Sequence, residues 1–161
     1  MNVLVINTLE QEDKKVSNEI EKIKTVNMSY KIINTSELEI NHCMGCYCCW
    51  CDTPGKCVIN DDIENITIDF LKAEEVIFIA DMHLGFLNSS CKAVIDRLLF
   101  PSLVIHKCFK NGEIRSINRY NKSWKVSLLY KGVADEKYIN HWLSRVCENM
   151  HSISLGAKKI G

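Results

Sequence analysis

The chain has 161 residues, of which 47% are hydrophobic and 25% are charged, with only 7 glycines and 2 prolines. This length predicts one domain, residues 1–161, and this composition excludes a disordered or low-complexity chain. The 20 basic and 20 acidic residues give a formal net charge of zero, so no overall field holds the chain to nucleic acid or to an anionic membrane. We therefore expect neither a nucleic-acid partner nor membrane association.

The pattern of apolar residues in chain order predicts strands that alternate with helices. Residues 3–6 form a continuous β-branched and aliphatic run, which is typical of a strand buried on both faces. Residues 11–24 place apolar side chains at helical spacing among charged ones, which predicts an amphipathic helix. By the same signals, further strands are predicted at 30–34, 76–80, 125–130 and 153–157, and further helices at 60–73, 89–99 and 135–150.

This alternation predicts an α/β fold, a doubly wound parallel sheet of about five strands with helices on both faces. Residues 102–123 form a long irregular connection, which is either an active-site or interface loop or contains a small hairpin around Asn111 and Gly112. No closing helix follows the fifth predicted strand. We therefore expect one sheet face near that strand to be bare and covered by a second copy of the chain in a homo-oligomer.

Nine cysteines are present, and six of them lie between residues 43 and 57. An odd number of cysteines, in a sequence without a basic, cleavable leader, argues against a secreted disulfide framework. The sequence also has no apolar run long enough to span a bilayer. We expect a cytoplasmic protein, a setting in which clustered thiols typically serve metal, iron–sulfur or redox chemistry.

Two blocks of sequence carry a resemblance to a known family. The first consists of HCMGCYCCW at residues 42–50, PGKC at 54–57 and the pair Asp61-Asp62, and the second of Gly85 followed by KAVIDR at 92–97. These blocks resemble the flavodoxin-like NADPH-dependent FMN reductase and iron–sulfur flavoprotein family. The resemblance implies a flavodoxin-like fold and an oxidoreductase of the electron-transfer or flavin-reductase type. It also implies FMN as a cofactor, NAD(P)H as an electron donor, and a small molecule or protein as the electron acceptor.

Four of the cysteines have the spacing C-x2-C-x2-C-x7-C. Steps of three residues on a tight loop let three thiolates converge, and Pro54-Gly55 can turn the chain so that a fourth arrives from another side. Iron–sulfur clusters need such a set of thiolates, although zinc, reduced thiols and a redox disulfide are also compatible with the residues. The family resemblance implies a [4Fe-4S] cluster on Cys43, Cys46, Cys49 and Cys57.

The predicted phosphate loop differs from that of the family. Flavodoxin-like proteins bind the FMN phosphate between the first strand and the first helix, where family members resemble Gly-Ser-Pro-Arg followed by Gly, Asn and Thr. This chain has NTLEQEDKK at residues 7–15, with carboxylates at Glu10, Glu12 and Asp13. Each like charge near a phosphate opposes its binding, and Thr8 is the main hydroxyl donor that remains.

The loop that would face the flavin ring is altered as well. Family members resemble Ser-Pro-Val-Tyr-x-Gly there, and this chain has ADMHLG at residues 80–85. What remains of a flavin pocket would consist of Thr8, Met82, His83, Leu84 and Gly85. The alternative function is a non-enzymatic metal-binding or interaction module of the same fold that has lost FMN binding.

Overall fold

A computed structural model describes residues 3–10, 13–26, 29–110 and 112–160. A short 3₁₀ helix at Thr35–Glu37 follows the second strand. The helices are α1 (Lys14–Val26), α2 (Cys48–Cys51), α3 (Ile63–Lys72), α4 (Ser89–Arg97) and α5 (Glu136–Asn149). The strands are β1 (Val3–Asn7), β2 (Tyr30–Asn34), β3 (Glu75–His83), β4 (Phe86–Leu87), β5 (Ser102–Cys108), β6 (Ile114–Asn118), β7 (Lys125–Gly132) and β8 (Ile153–Lys159).

Five of these strands form the parallel sheet that the sequence predicts, in the order β2-β1-β3-β7-β8. The short β4 pairs with the end of β3 in the antiparallel direction. Strand β1 is buried along most of its length, as its apolar run predicts. Because the strand order reverses between β1 and β3, their carboxyl ends form the topological switch point where sheets of this type bind ligands.

The two faces of the sheet are covered unequally. Helices α3, α4 and α5 bury the larger core against one face, where Trp124 donates from Nε1 to the carbonyl oxygen of Phe70 at 2.8 Å. Helix α1 covers the other face with a smaller cluster that includes Val16. The prediction of helices on both faces is confirmed. Among the described helices, none combines the length and the apolar character needed to cross a membrane.

The structure corrects several predicted boundaries. The first helix begins at Lys14, and residues 11 and 12 lie outside the described ranges. Helix α4 begins at Ser89, as predicted, and ends at Arg97 instead of residue 99. The last strand continues to Lys159, two residues beyond the predicted end.

The long connection at residues 102–123 contains the hairpin that was one of its two predicted forms. Strands β5 and β6 pair with each other in the antiparallel direction and form a separate two-stranded sheet. Gly112 has a positive φ of 82° in the connection between them, and Asn111 lies outside the described residues.

The edge strand β8 leaves apolar side chains exposed. Ile153 and Leu155 are each about half exposed to solvent. A bulge displaces the strand between the partners of Val126 and Ser127, next to Gly156, which has a positive φ of 94°. The bare sheet face predicted near this strand, and its coverage by a second copy, stay predictions.

Candidate functional site

Residues 42–57, called here the cysteine segment, lie between β2 and α3. Gly45 and Tyr47 both have positive φ angles, 67° and 59°, and so reverse the chain just before helix α2. Trp50 then anchors the segment, because its Nε1 donates to the carbonyl oxygen of Leu99 at 3.2 Å and its ring meets that of His106 edge-on. The cysteine segment is thus held against the end of α4 and the β5–β6 hairpin.

The four predicted ligand residues line one cavity of about 110 Å³, and Cys48 and Cys51 do not line it. The fold therefore brings together the cysteines that the spacing selects: Cys43, Cys46, Cys49 and Cys57. No group of three or more His, Cys, Asp or Glu side chains in the described residues is arranged to hold a metal ion. Their role as metal ligands stays a prediction.

The thiols of the cysteine segment influence one another's pKa values. Burial raises the pKa of Cys49, and the neighbouring Cys57, Cys43 and Cys46 raise it further. At Cys46 the pKa is lowered, first by the backbone N–H of Cys48 and then by its side chain. Hydrogen bonds with Asp52 and Cys46 raise the pKa of Cys48 to about 12. Several thiolates in this cavity would repel one another, and a positive charge beside them would offset this repulsion.

Arg97 supplies that charge from the last residue of α4. It lines the same cavity, and its side chain has no solvent exposure. Nη1 donates to the carbonyl oxygen of Asn41 at 3.0 Å and to the carboxylate of Asp61, and Nη2 donates to the carbonyl oxygen of Ile59 at 3.3 Å. Burial opposes the charge, but the nearby Asp61 and Cys57 outweigh it and raise the pKa of Arg97.

The remaining donor of Arg97, its Nε, bears on whether these residues fit an iron–sulfur cluster. Its Nε is buried and has no hydrogen-bond partner among the described residues. A cluster held by four thiolates is rich in sulfur acceptors, and hydrogen bonds to these sulfurs are a normal part of such sites. The chemistry of the four thiols and of the buried cation therefore fits this group. In the sequence Arg97 is only the last residue of the KAVIDR motif, and an arginine in the last turn of a helix does not by itself indicate a site.

A second candidate region lies at the carboxyl ends of the sheet strands, where the fold predicts a flavin site. One cavity of about 420 Å³ lies between the ends of β1 and β2 and the start of α1. Another, of about 210 Å³, is lined by Leu9, Glu10, Asp81, His83, Asn88 and Lys131. Carboxylates outnumber the single lysine in each cavity, Lys24 in the first and Lys131 in the second, and would repel an anionic ligand.

Asp13 occupies the position where an FMN phosphate would need backbone donors. Its Oδ1 accepts hydrogen bonds from the N–H groups of Lys15 at 2.8 Å and Val16 at 3.4 Å, and these bonds lower its pKa. Lys131 lies 3.5 Å from the other carboxylate oxygen. A phosphate at this helix end would compete with a carboxylate that already uses these N–H groups. The residues present do not fit the usual phosphate site of FMN.

Thr8, the predicted hydroxyl donor, is used inside the protein. It is buried, and its Oγ1 donates to the carbonyl oxygen of Ile79 at 2.7 Å, with Asn88 Oδ1 at 3.3 Å. Asn88 in turn donates from Nδ2 to the Thr8 carbonyl oxygen at 2.7 Å. These bonds join the ends of β1 and β3 to the start of α4, which is a structural role.

The other predicted flavin-binding residues do not converge on one cavity. Met82 is buried, and His83 is exposed with its Nε2 3.5 Å from a carboxylate oxygen of Asp81. Leu84 and Gly85 form the turn between β3 and β4, with φ angles of 52° and 81°. Of the predicted residues, only His83 lines either cavity described at this edge of the sheet. Their role in cofactor binding stays a prediction.

Comparison with curated proteins gives one significant similarity. An iron–sulfur flavoprotein of Methanocaldococcus jannaschii is 30% identical over 67 residues, which are 42% of this chain and 34% of that protein. The chain thus matches about a third of this relative's length. No family model matches the chain.

Solved structures with similar folds cover almost the whole chain. An NAD(P)H:quinone oxidoreductase from Methanothermobacter marburgensis has a TM-score of 0.68 at 9% identity, over 99% of this chain and 85% of that one. RosB with a bound 8-demethyl-8-formylriboflavin-5'-phosphate has a TM-score of 0.65 at 8% identity, over 99% of this chain and 64% of that one. Identities this low establish the fold alone. The chain thus has the flavodoxin-like fold, and it is similar to the FMN reductase and iron–sulfur flavoprotein family that its cysteine motif predicts.

Proposed function

We propose that the protein is a flavodoxin-like redox protein that transfers electrons through a [4Fe-4S] cluster held by Cys43, Cys46, Cys49 and Cys57. The observation that carries this proposal is that these four cysteines line one cavity, beside a buried arginine with an unpartnered donor. Four thiolates give such a cluster net negative charge, and burial makes a nearby cation effective.

The spacing of the ligands favours a cluster over zinc. Structural zinc sites typically use two separated C-x2-C pairs, whereas compact C-x2-C-x2-C runs are typical of iron–sulfur proteins. Cys43 and Cys46 are exposed, so a cluster held there would lie near the surface. An electron donor or acceptor, whether a small molecule or a protein, would therefore approach the cluster at this side of the chain.

The second candidate function is a metal-binding or interaction module that has lost FMN. The observation that favours it is the carboxylate of Asp13 at the start of α1. NAD(P)H delivers a hydride, and a flavin is the usual group that receives it. NAD(P)H as the donor therefore depends on flavin binding, and without FMN the cluster would need a donor of single electrons.

The cell compartment and the assembly are further parts of this proposal. The grouping of six cysteines between residues 43 and 57 is the reason to propose a reducing cytoplasm, where clustered thiols typically serve metal or redox chemistry. The exposed Ile153 and Leu155 on β8 would be covered in a homo-oligomer. Light scattering on the purified protein tests the assembly, and a mass equal to one chain would contradict it.

Metal analysis of anaerobically purified protein tests the cluster. We expect about four iron and four sulfide ions per chain. The protein should also show a broad absorption in the visible region that bleaches on reduction. The Cys46→Ser variant should lose most of the iron, while Cys51→Ser, a matched change in the same segment outside the cavity, should keep it. Protein that contains zinc or no metal after anaerobic purification would refute the cluster, as would equal iron loss in both variants.

A further inference from the structure

We propose that Arg97 is the positioning residue of the four-cysteine cavity: it closes the cysteine segment at both ends and offers its remaining N–H to the group that the cysteines hold. The inference rests on the proposed cluster for its electrostatic part. The closure of the segment is independent of any bound group.

The closure follows from the two carbonyl groups that Arg97 binds. Asn41 directly precedes the cysteine segment, and Ile59 follows it by two residues. The guanidinium donates to both carbonyl oxygens, although Arg97 lies 56 positions from Asn41 and 38 from Ile59 in the sequence. Because both carbonyls bind the same planar group, the two ends of the segment are fixed relative to each other and to α4.

Asp61 fixes the orientation of this guanidinium. It forms an ion pair with Arg97 in which neither side chain is exposed. The same carboxylate accepts hydrogen bonds from the backbone N–H of Asn41 at 2.9 Å and from that of Ile63 at 3.2 Å. A buried ion pair with these additional bonds is costly to break, because either charge alone would be left without compensation. Arg97 therefore has little freedom to turn away from the cavity.

The unpartnered Nε indicates that a bound group supplies its hydrogen-bond acceptor. Arg97 is only 5% exposed, and buried donors almost always have a partner. Its two other nitrogens are engaged by Asn41, Asp61 and Ile59, while the cavity that Arg97 lines is the one lined by the four cysteines. A sulfur of a thiolate-held cluster is a suitable acceptor at this place. Hydrogen bonds and positive charge next to a cluster favour its reduced, more negative state.

Redox titration of the cluster tests the electrostatic part. In Arg97→Gln we expect the ratio of reduced to oxidised cluster at the wild-type midpoint to be about tenfold lower, equivalent to a shift of about −59 mV for one electron. Asp61→Asn removes a negative charge and should move the midpoint in the positive direction. The control Lys56→Gln removes an exposed cation that pairs with Glu64 and should change the ratio less than about twofold. An unchanged midpoint in Arg97→Gln, or a negative shift in both Arg97→Gln and Asp61→Asn, would overturn this part.

Limited trypsin digestion of cluster-free protein tests the closure. The bond after Lys56 lies inside the cysteine segment, and the bond after Lys110 in the β5–β6 connection serves as the internal reference. We expect Arg97→Gln to be cleaved after Lys56 at least about fivefold faster than wild type, with cleavage after Lys110 unchanged. Arg97→Lys keeps the charge but lacks the planar fork, and it should show the same opening if Arg97→Gln does not fold. Unchanged cleavage after Lys56 overturns the closure. If wild type holds no cluster, the proposed function fails while this measurement still decides the closure.

Discussion

Asp13 accepts a hydrogen bond from the backbone N–H of Lys15 at 2.8 Å, and so places a carboxylate on the amino end of the helix that follows the first strand. In flavodoxin-like proteins this helix end is where a phosphate gains its backbone hydrogen bonds. The acidic residues of this loop therefore oppose a phosphate in two ways. They repel it, and one of them already uses the donors that it needs.

Replacing the acidic residues of this loop should improve FMN binding. We expect the combined variant Glu10→Gly, Glu12→Ser and Asp13→Asn to bind FMN at least about tenfold more tightly than wild type, because like charges next to the phosphate are removed. Fluorescence quenching of FMN on titration with protein measures this. Riboflavin, which has the same ring without the phosphate, is the matched control and should show no gain. An equal gain for both ligands, or none for FMN, would contradict the explanation.

Asp13 should also make the stability of the protein depend on pH. Its hydrogen bonds to Lys15 and Val16 hold its pKa below the ordinary 3.8. A carboxyl with a lowered folded-state pKa contributes stability that is complete above 3.8 and is lost as pH falls through the folded-state pKa. Asp13→Ala should therefore lower the free energy of unfolding at pH 7, and the difference from wild type should shrink below about pH 4. Denaturant unfolding across this range is the measurement, and a difference that grows towards acid pH is the contrary result.

Thr8 should act as a structural residue. Thr8→Val keeps the shape of the side chain but removes the hydroxyl that bonds to the carbonyl oxygen of Ile79, so we expect a loss of about 1–3 kcal/mol in the free energy of unfolding. Ser17→Ala removes an exposed hydroxyl from the same region and should cost less than about 0.5 kcal/mol. Chemical denaturation compares the two variants. A Thr8→Val protein as stable as wild type would show that this hydroxyl has no structural role.

A substitution in the turn between β3 and β4 should stabilise the protein. Leu84 is fully exposed and has a φ of 52°, a conformation that costs leucine about 1–2 kcal/mol but that asparagine adopts readily. Leu84→Asn creates the Asn-Gly pair preferred in two-residue hairpin turns with positive φ at both positions, and we expect it to stabilise the protein by about 0.5–1 kcal/mol. Leu84→Ala removes the exposed leucine without favouring this φ and serves as the control. Thermal unfolding that gives the same midpoint for both variants would argue against backbone strain at residue 84.

The sequence predicts the sheet well because buried parallel strands need continuous apolar residues. Strand β2 lies at its predicted bounds, and β1 and β7 extend only one and two residues beyond theirs. The hairpin at residues 102–123 was predicted only as one of two alternatives, because a polar, irregular stretch carries little periodicity. Helix ends were placed less accurately, since they depend on individual capping bonds rather than on a repeated pattern.

The role of Asp13 could have been recognised from local sequence. An aspartate immediately before an amphipathic helix is a common capping signal, and the structure shows that bond. The charge of Asp13 alone predicts only repulsion of a phosphate, which the family binds at this position. Both the capping bond and the charge of Asp13 oppose FMN binding, but the capping bond stabilises the folded protein.

The sequence by itself determined the alternation of strands and helices and the grouping of four cysteines, because both depend on side chains close together along the chain. Only the tertiary structure decided which residues complete the two regions. Arg97 meets Asp61 across 36 positions, and Thr8 meets Asn88 across 80. Such contacts arise when the strands assemble into the sheet and carry distant loops to one edge, and no local pattern records which side chains will meet there.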